Sequence, residues 1–388
     1  MYGSPENRAL ARIKSNEIVV GIPGKKDLIA YYISAHGYGH GVRSCDVIRA
    51  LNRLYPQLEV DVVSVLPSNF LHNRIGHAGN NIRPESLDVG MVQKDSIQVD
   101  VPATLACIEQ LYASREELID REVSYLKERG VALVVVDIPA LPLEAAELAG
   151  VPRMAIGNFG WDWIYSGFIQ QDLRWEQIAD SVRNAYTKTD LLLRLPFSEP
   201  MRAFPVIEDI PIVASPGKFR RREISELFDC DAGKKWILIS FTSLNWSDEA
   251  LDRIERIRDY EFFTVYPLAW QRSNIHAVRR ERMPFSDVIA SVDAVLSKPG
   301  FGILSDCVVN GKPLIFADRS DFAEYFILES SIKKYLKYVH IPMDTLYRGN
   351  LKPSIDLIWD RPSALESLAH GGDAAAAHRI ARLAGNAN

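Results

Sequence analysis

The sequence predicts an α/β protein built as two units, each a parallel sheet covered by helices on both faces, with a cleft between them. Short uninterrupted apolar runs rich in Val, Ile and Leu alternate with amphipathic stretches, the pattern of strands buried on both faces. A proline-rich segment divides two such alternations, and 388 residues suit two domains at about 150 residues each. Each half also carries a glycine turn between a strand and a helix, at residues 36–41 and 298–302.

In chain order, residues 1–27 mix charge and polarity around the apolar run Ile18–Ile22 and read as an amino-terminal tail. Leu28–Ile33 is the first strand, followed by a helix over Val42–Leu54 and a strand over Val60–Leu66. A long amphipathic helix is predicted over Ile108–Arg129, then a strand over Val131–Val136 ending at Asp137. A short helix at Leu143–Ala149 and strands at Arg153–Ile156 and Leu191–Leu195 complete the first unit, residues 28–200. Prolines at 196, 200, 205, 211 and 216 mark a connection, with residues 201–220 as the linker. The second unit, 221–360, runs strand Trp236–Phe241, helix Asp248–Arg258, strand Phe262–Tyr266, helix Asp287–Ser291 and strand Ala294–Ser297. It continues with helix Ile303–Val309, strand Pro313–Ala317, helix Phe322–Lys334 and strand Tyr338–Ile341. Residues 361–388 form a helical tail whose Asp373–Ala377 stretch is expected to pack back on the first unit.

The first glycine turn, Ser34-Ala-His-Gly-Tyr-Gly-His-Gly41, closes a strand and opens a helix. Its glycines let a ligand approach the main chain, and the helix offers free N–H groups and the positive end of its dipole. His36 and His40 can exchange protons near neutral pH. Their four-residue spacing would suit a metal only on a helix, which three glycines oppose, so no metal site is expected. Asp137, at a strand's carboxyl end, either orients such a base or caps the next helix. Trp161-Asp162-Trp163 either walls a pocket or packs at a domain junction. Asp229-Cys230-Asp231, beside Gly233, reads as turn chemistry, and Arg220–Arg222 as a solvated face.

A formal net charge of −5 argues against general nucleic-acid binding. Four scattered cysteines without a C-x-x-C pair fit a reducing compartment. No apolar run reaches the ~18 residues of a membrane span, and no secretory signal is evident, so a cytoplasmic protein is expected. Peripheral membrane contact stays open.

The turn Ser297-Lys-Pro-Gly-Phe-Gly302 followed by Asp306, with the 36–40 turn, Val136-Asp-Ile-Pro139, Asn158–Tyr165 and Leu193-Arg-Leu-Pro196, resembles nucleotide-sugar glycosyltransferases of the GT-B class, family 28-like. Within that class the chain is most similar to the glycosyltransferase-like amino-terminal region of L-arabinokinases and stand-alone bacterial relatives. The resemblance spans about Ile29 to Tyr338, and no sugar-kinase motif follows it. It implies two Rossmann-like domains, the first for the acceptor and the second for the nucleotide sugar. It implies an inverting, metal-independent transferase with an NDP-sugar donor, UDP foremost, and no resident cofactor. The acceptor, whether small molecule, lipid-linked or glycan, is not indicated.

On this resemblance His40 is the base with Asp137 assisting, and His36, Tyr38, Arg43, Asn158, Trp161 and Asp162 face the acceptor. Asp306 takes the ribose, where the family more often has glutamate, and Lys298, Gly300 and Gly302 take the diphosphate. Thr242, Ser243, Met283, Asp321 and Glu324 complete the donor side. Ser240–Asn245 departs from the family's glycine-rich cradle, so Thr242 and Ser243 stand in for it. Two other readings remain: a nucleotide-sugar 2-epimerase or hydrolase of the same fold, and a binding protein without catalysis.

Overall fold

The computed structural model describes residues 27–76, 80–93, 99–318 and 323–385. Residues 1–26 of the tail predicted at 1–27, and the candidate Asp321, therefore lie outside the described residues. The first unit contains, in order, β1 (Leu28–Ile33), α1 (Tyr38–Leu54), β2 (Glu59–Val63), α2 (Ser68–Ile75), β3 (Asn81–Arg83), α3 (Val101–Ala113), α4 (Arg115–Arg129) and β4 (Val131–Asp137). It continues with α5 (Leu141–Ala149), β5 (Arg153–Gly157), α6 (Trp161–Ser166), α7 (Arg174–Tyr186), β6 (Leu191–Arg194) and β7 (Ile207–Asp209). Its sheet is parallel throughout, in the order β3-β2-β1-β4-β5-β6-β7.

The second unit holds α8 (Arg221–Phe228), β8 (Lys235–Ser240), α9 (Asp248–Glu255), β9 (Tyr260–Val265), β10 (Ile275–Val278), α10 (Phe285–Ser291) and β11 (Ala294–Ser297). Then come α11 (Phe301–Val309), β12 (Leu314–Ala317), α12 (Tyr325–Tyr335), β13 (Tyr338–Ile341), α13 (Met343–Tyr347) and α14 (Lys352–Asp360). Its sheet, also parallel, runs β10-β9-β8-β11-β12-β13. Both sheets reverse direction of growth beside their first strand, the doubly wound order that opens a crevice at the strands' carboxyl ends. Successive strand residues feed opposite faces. Ala30, Tyr32, Val134 and Val136 belong to one core of the first sheet, while Ile29, Tyr31, Leu133 and Val135 belong to the other.

Several boundaries differ from the sequence reading. The single helix expected over Ile108–Arg129 is two helices broken at Ser114, whose backbone N–H closes the first onto Leu111 O and Tyr112 O. Helix α1 starts at Tyr38, not Val42, so Gly39, His40 and Gly41 lie in its first turn. Gly41 is there for packing, since a Cβ would stand 2.6 Å from Leu66 Cδ1 and 2.8 Å from Phe70 Cε1. The connection after Pro196 is not structureless, because β7 adds an edge strand to the first sheet.

Among the described residues of the carboxyl-terminal stretch, only α15 (Gly372–Leu383) is helical. The chain crosses back beside its first crossing: Ile212 N–H donates to Ala369 O at 3.0 Å and Gly372 N–H to Ile212 O at 3.1 Å. A Cβ on Gly372 would lie 2.0 Å from Pro211 O, so only glycine allows this approach. Helix α15 packs on α1, and Ala376, Ala377, Ile380 and Ala381 have no exposure.

Candidate functional site

Strands β1 and β4 are neighbours in register Ile33↔Asp137, which sets the first glycine turn directly against the carboxyl end of β4. His40, one turn into α1, donates through Nδ1 to Asp137 Oδ1 at 2.8 Å. Arg43 and Ser44, on the same helix face, close on the same carboxylate. Arg43 Nε donates to Oδ2 at 2.7 Å, Arg43 Nη2 to Oδ1 at 2.5 Å, and the Ser44 hydroxyl to Oδ2 at 2.7 Å. Asp137 is fully buried, and burial alone would raise its pKa. The Arg43 guanidinium and then His40 outweigh burial and hold the carboxyl well below its ordinary range. A carboxylate accepts only, so the His40 nitrogen facing it is the protonated one and Nε2 carries the lone pair.

Arg43 was expected at the acceptor, but the structure turns it inward. Its Nη1 donates to Asn158 Oδ1, and Asn158 Nδ2 donates in turn to Pro196 O at 2.5 Å. Asn158 therefore holds the arginine from the far side, and both are buried. Asp162, also expected at the acceptor, pairs with Arg183 of α7 at 3.6 Å; burial raises its pKa while the Trp163 N–H and Arg183 lower it. His36 accepts the Met91 N–H at Nδ1 (2.9 Å) and stands edge-on to Trp161 at 5.1 Å. Trp161 is buried and tilts against His40 at 6.3 Å, so it touches both histidines from inside the unit. Tyr38 is exposed at the mouth of the turn.

Sequence reasoning missed Asp88. Its carboxylate accepts the Trp161 indole N–H at 3.0 Å. Burial raises its pKa, opposed by the Ser34 hydroxyl, His40 and the Trp161 N–H. The available signal was Gly90, with φ +67° and space for no Cβ beside His36, which folds this loop under the histidine. Arg280 was also missed: its guanidinium lies 5.4 Å from the Tyr38 ring centroid, across the two units.

In the second unit β8 and β11 pair with Ser297↔Ser240, so the Lys298–Gly302 turn adjoins the loop of Thr242 and Ser243. Both of those residues are exposed, and Lys298 is half-buried. Gly300 caps α11 in extended conformation. Met283 is buried in this unit's core, and Glu324 is buried at the start of α12. Asp306 is half-buried on α11 and faces the first unit; burial pushes its carboxyl up to about 7, with Arg74 opposing and Asp46 adding to the rise. The two glycine turns face each other, since a Cβ on Gly302 would lie 4.0 Å from Gly39 Cα. Phe301 stacks on Phe159 at 5.5 Å beside His40.

Two doubly wound parallel sheets joined at facing switch points have counterparts among solved proteins. The glycotransferase of kitacinnamycin superimposes with a TM-score of 0.63 at 15% identity, over 93% of this chain and 100% of that one. A UDP-glucosyltransferase from Polygonum tinctorium, capable of glucosylating indoxyl, gives 0.62 at 12% identity over 94% and 99%. A UGT transferase from Siraitia grosvenorii in complex with UDP gives 0.59 at 12% over 92% and 100%. The fold is that of GT-B glycosyltransferases. In sequence, the chain is 27% identical to the L-arabinokinase of Arabidopsis thaliana over 94% of its own length. It spans 35% of that protein, about a third. No protein-family profile matches the chain.

The remaining sequence motifs of the GT-B chain carry ordinary structural roles. Asp231 Oδ1 accepts the Gly233 N–H at 2.7 Å in a turn. Arg220, Arg221 and Arg222 pair with Asp287, Asp293 and Glu226. Among the described residues no cluster of three or more His, Cys, Asp or Glu is arranged to hold a metal ion, and no helix is long and apolar enough to cross a membrane.

Proposed function

We propose that this chain transfers a glycosyl group from a nucleoside diphosphate sugar, UDP foremost, to a hydroxyl acceptor, with inversion and without metal or resident cofactor. The observation that carries the reading is the His40–Asp137 pair at one sheet's switch point, set opposite the second glycine turn at the other's. His40 Nε2 takes the acceptor's proton as its oxygen bonds to the anomeric carbon. The bond from that carbon to the diphosphate oxygen breaks on the opposite face, which inverts the centre and releases the nucleoside diphosphate. Asp137 fixes the imidazole tautomer and stabilises the imidazolium that forms. Lys298 and the amides after Gly300 meet the departing diphosphate through charge and the dipole of α11. Asp306 takes the ribose hydroxyls, and Thr242, Ser243 and Glu324 the phosphate and sugar ends of the donor. The Siraitia relative's bound UDP and the Polygonum relative's glucosyl transfer support this donor class.

Thermal shift with UDP, GDP, ADP and TDP tests the donor site, since a bound ligand raises the midpoint by mass action. Nucleoside diphosphate release is then followed with matching NDP-sugars across an acceptor panel, with and without EDTA. Release that needs an acceptor and survives EDTA is expected. Sugar isomerisation without acceptor points instead to an epimerase, and no midpoint rise with any nucleotide overturns the proposal.

A further inference from the structure

We propose that Arg43 is a positioning residue that sets the basicity of His40: its guanidinium, forked on Asp137, cancels the carboxylate's charge and keeps the imidazole neutral and ready to accept a proton. This rests on His40 being the base of the proposed transfer.

A histidine paired with a buried carboxylate alone is driven toward the imidazolium form, because the opposite charge favours the proton. Such a residue is already protonated when the acceptor arrives and serves poorly as a base. Here the carboxylate does not face His40 alone. Arg43 reaches both of its oxygens, through Nε at 2.7 Å and Nη2 at 2.5 Å, and the same Nη2 stands 3.0 Å from His40 Nδ1. Asp137 and Arg43 together carry no net charge, and the cation stands 3.0 Å from His40 Nδ1 against 2.8 Å for the anion. The Ser44 hydroxyl occupies the remaining direction on Oδ2, so the carboxylate has no vacant side from which to take the proton itself.

The guanidinium is fixed as well as close. His40 and Arg43 are three residues apart on α1 and share one helix face. Asn158 holds Nη1 from β5's end and is anchored on Pro196 O where the chain leaves the first unit. Arginine suits this place and lysine less so, because only a planar fork binds both carboxylate oxygens and a third acceptor together. The first turn of α1 adds its positive dipole end, which also disfavours an imidazolium. From the other sides His40 meets the rings of His36, Phe159 and Trp161, and the charge of Asp88, whose carboxylate is engaged by Ser34 and Trp161. Asp88 is thus the acid that acts against Arg43.

The experiment follows the His40 imidazole by NMR in histidine-labelled full chain, with the signal assigned from a His40→Gln variant. The titration midpoint is measured in the wild type and in Arg43→Met, Arg43→Gln and Arg43→Lys. Losing the cation is expected to raise the midpoint by about 1–3 units, the size of the effect of a close charge. Arg43→Lys, which restores a cation, is expected to return most of that shift. Arg43→Gln keeps an amide donor on Asp137 and carries the test should Arg43→Met fail to fold. In the turnover profile the acid limb must move upward with the midpoint. An unmoved midpoint in a folded neutral variant overturns the proposal, even where turnover falls, since the arginine is then scaffold only. The imidazole titration needs no turnover, so a wild type that transfers no sugar refutes the transferase reading without deciding the role of Arg43.

Discussion

Replacing Asp137 with asparagine keeps the side chain's shape and removes its charge at a position with no solvent exposure. The carboxylate receives four donors there: His40 Nδ1, Arg43 Nε, Arg43 Nη2 and the Ser44 hydroxyl. An amide offers one accepting oxygen and turns its own N–H₂ toward the other donors, leaving the buried Arg43 cation without a counter-charge. Breaking a buried pair by removing one partner costs about 3–5 kcal/mol. At roughly 2–4 °C per kcal/mol, the amino-terminal unit should melt about 6–20 °C lower. The assay is urea unfolding followed by tryptophan fluorescence, to which Trp161, Trp163 and Trp175 contribute from the first unit, at pH 7 and pH 3. The sign of the pH dependence is set by a folded-state carboxyl held below its 3.8 reference. Its stabilisation is complete above that reference and is lost as pH falls through the lower folded value. By pH 3 about 1 kcal/mol of the wild-type advantage should be gone, so the gap between the two proteins narrows. A loss under about 1 kcal/mol at pH 7, set against the 3–5 kcal/mol of a broken buried pair, refutes the reasoning. So does a gap that stays constant into acid.

His40→Ala should lower turnover by roughly 10²–10⁴-fold with nucleotide affinity unchanged, measured by steady-state kinetics and calorimetry; near-full activity would move the base elsewhere. Asp306 has its carboxyl raised to about 7 by burial, so its ionisation destabilises the fold progressively from the 3.8 reference up to that value. Asp306→Asn should therefore raise the melting temperature at pH 8 and change it little near pH 4, while weakening nucleotide binding by about 1–3 kcal/mol. Equal melting effects at both pH values would show that the carboxyl is not perturbed. Gly372→Ala places a methyl 2.0 Å from Pro211 O, a backbone atom with little freedom to move. Overpacking of about 1–3 kcal/mol or more should follow, with α15 cut faster by protease than in the wild type; an unchanged cleavage rate would mean that the crossing relaxes.

Local chemistry made much of the site legible in the sequence. The glycine turns at 36–41 and 298–302 mark themselves by composition, and strand periodicity places each at a carboxyl end, where doubly wound sheets open a crevice. Asp137 was visible as the polar stop to an apolar run. Asp88 was not, because it sits in an aperiodic loop and owes its place to Gly90 and the Trp161 indole. The inward turn of Arg43 was equally hidden, since its place beside the glycine turn suggested an acceptor contact while its partners Asp137 and Asn158 lie about a hundred residues away.

What the sequence determined by itself is therefore the alternation of strand and helix, the division into two units and the location of the glycine turns. Those features depend on interactions within a few residues: burial periodicity, backbone freedom and helix termini. Only the tertiary structure decided which strand ends meet. His40 and Asp137 are 97 residues apart and touch because β1 and β4 are neighbours at the first sheet's reversal point. The turn of the second unit faces the first, with Gly302 beside Gly39, and the two chain crossings between the units are hydrogen-bonded to each other at Ile212 and Ala369. A polar side chain's partners and charge state are set by what folding packs around it, and that neighbourhood is assembled from segments that carry no local record of one another.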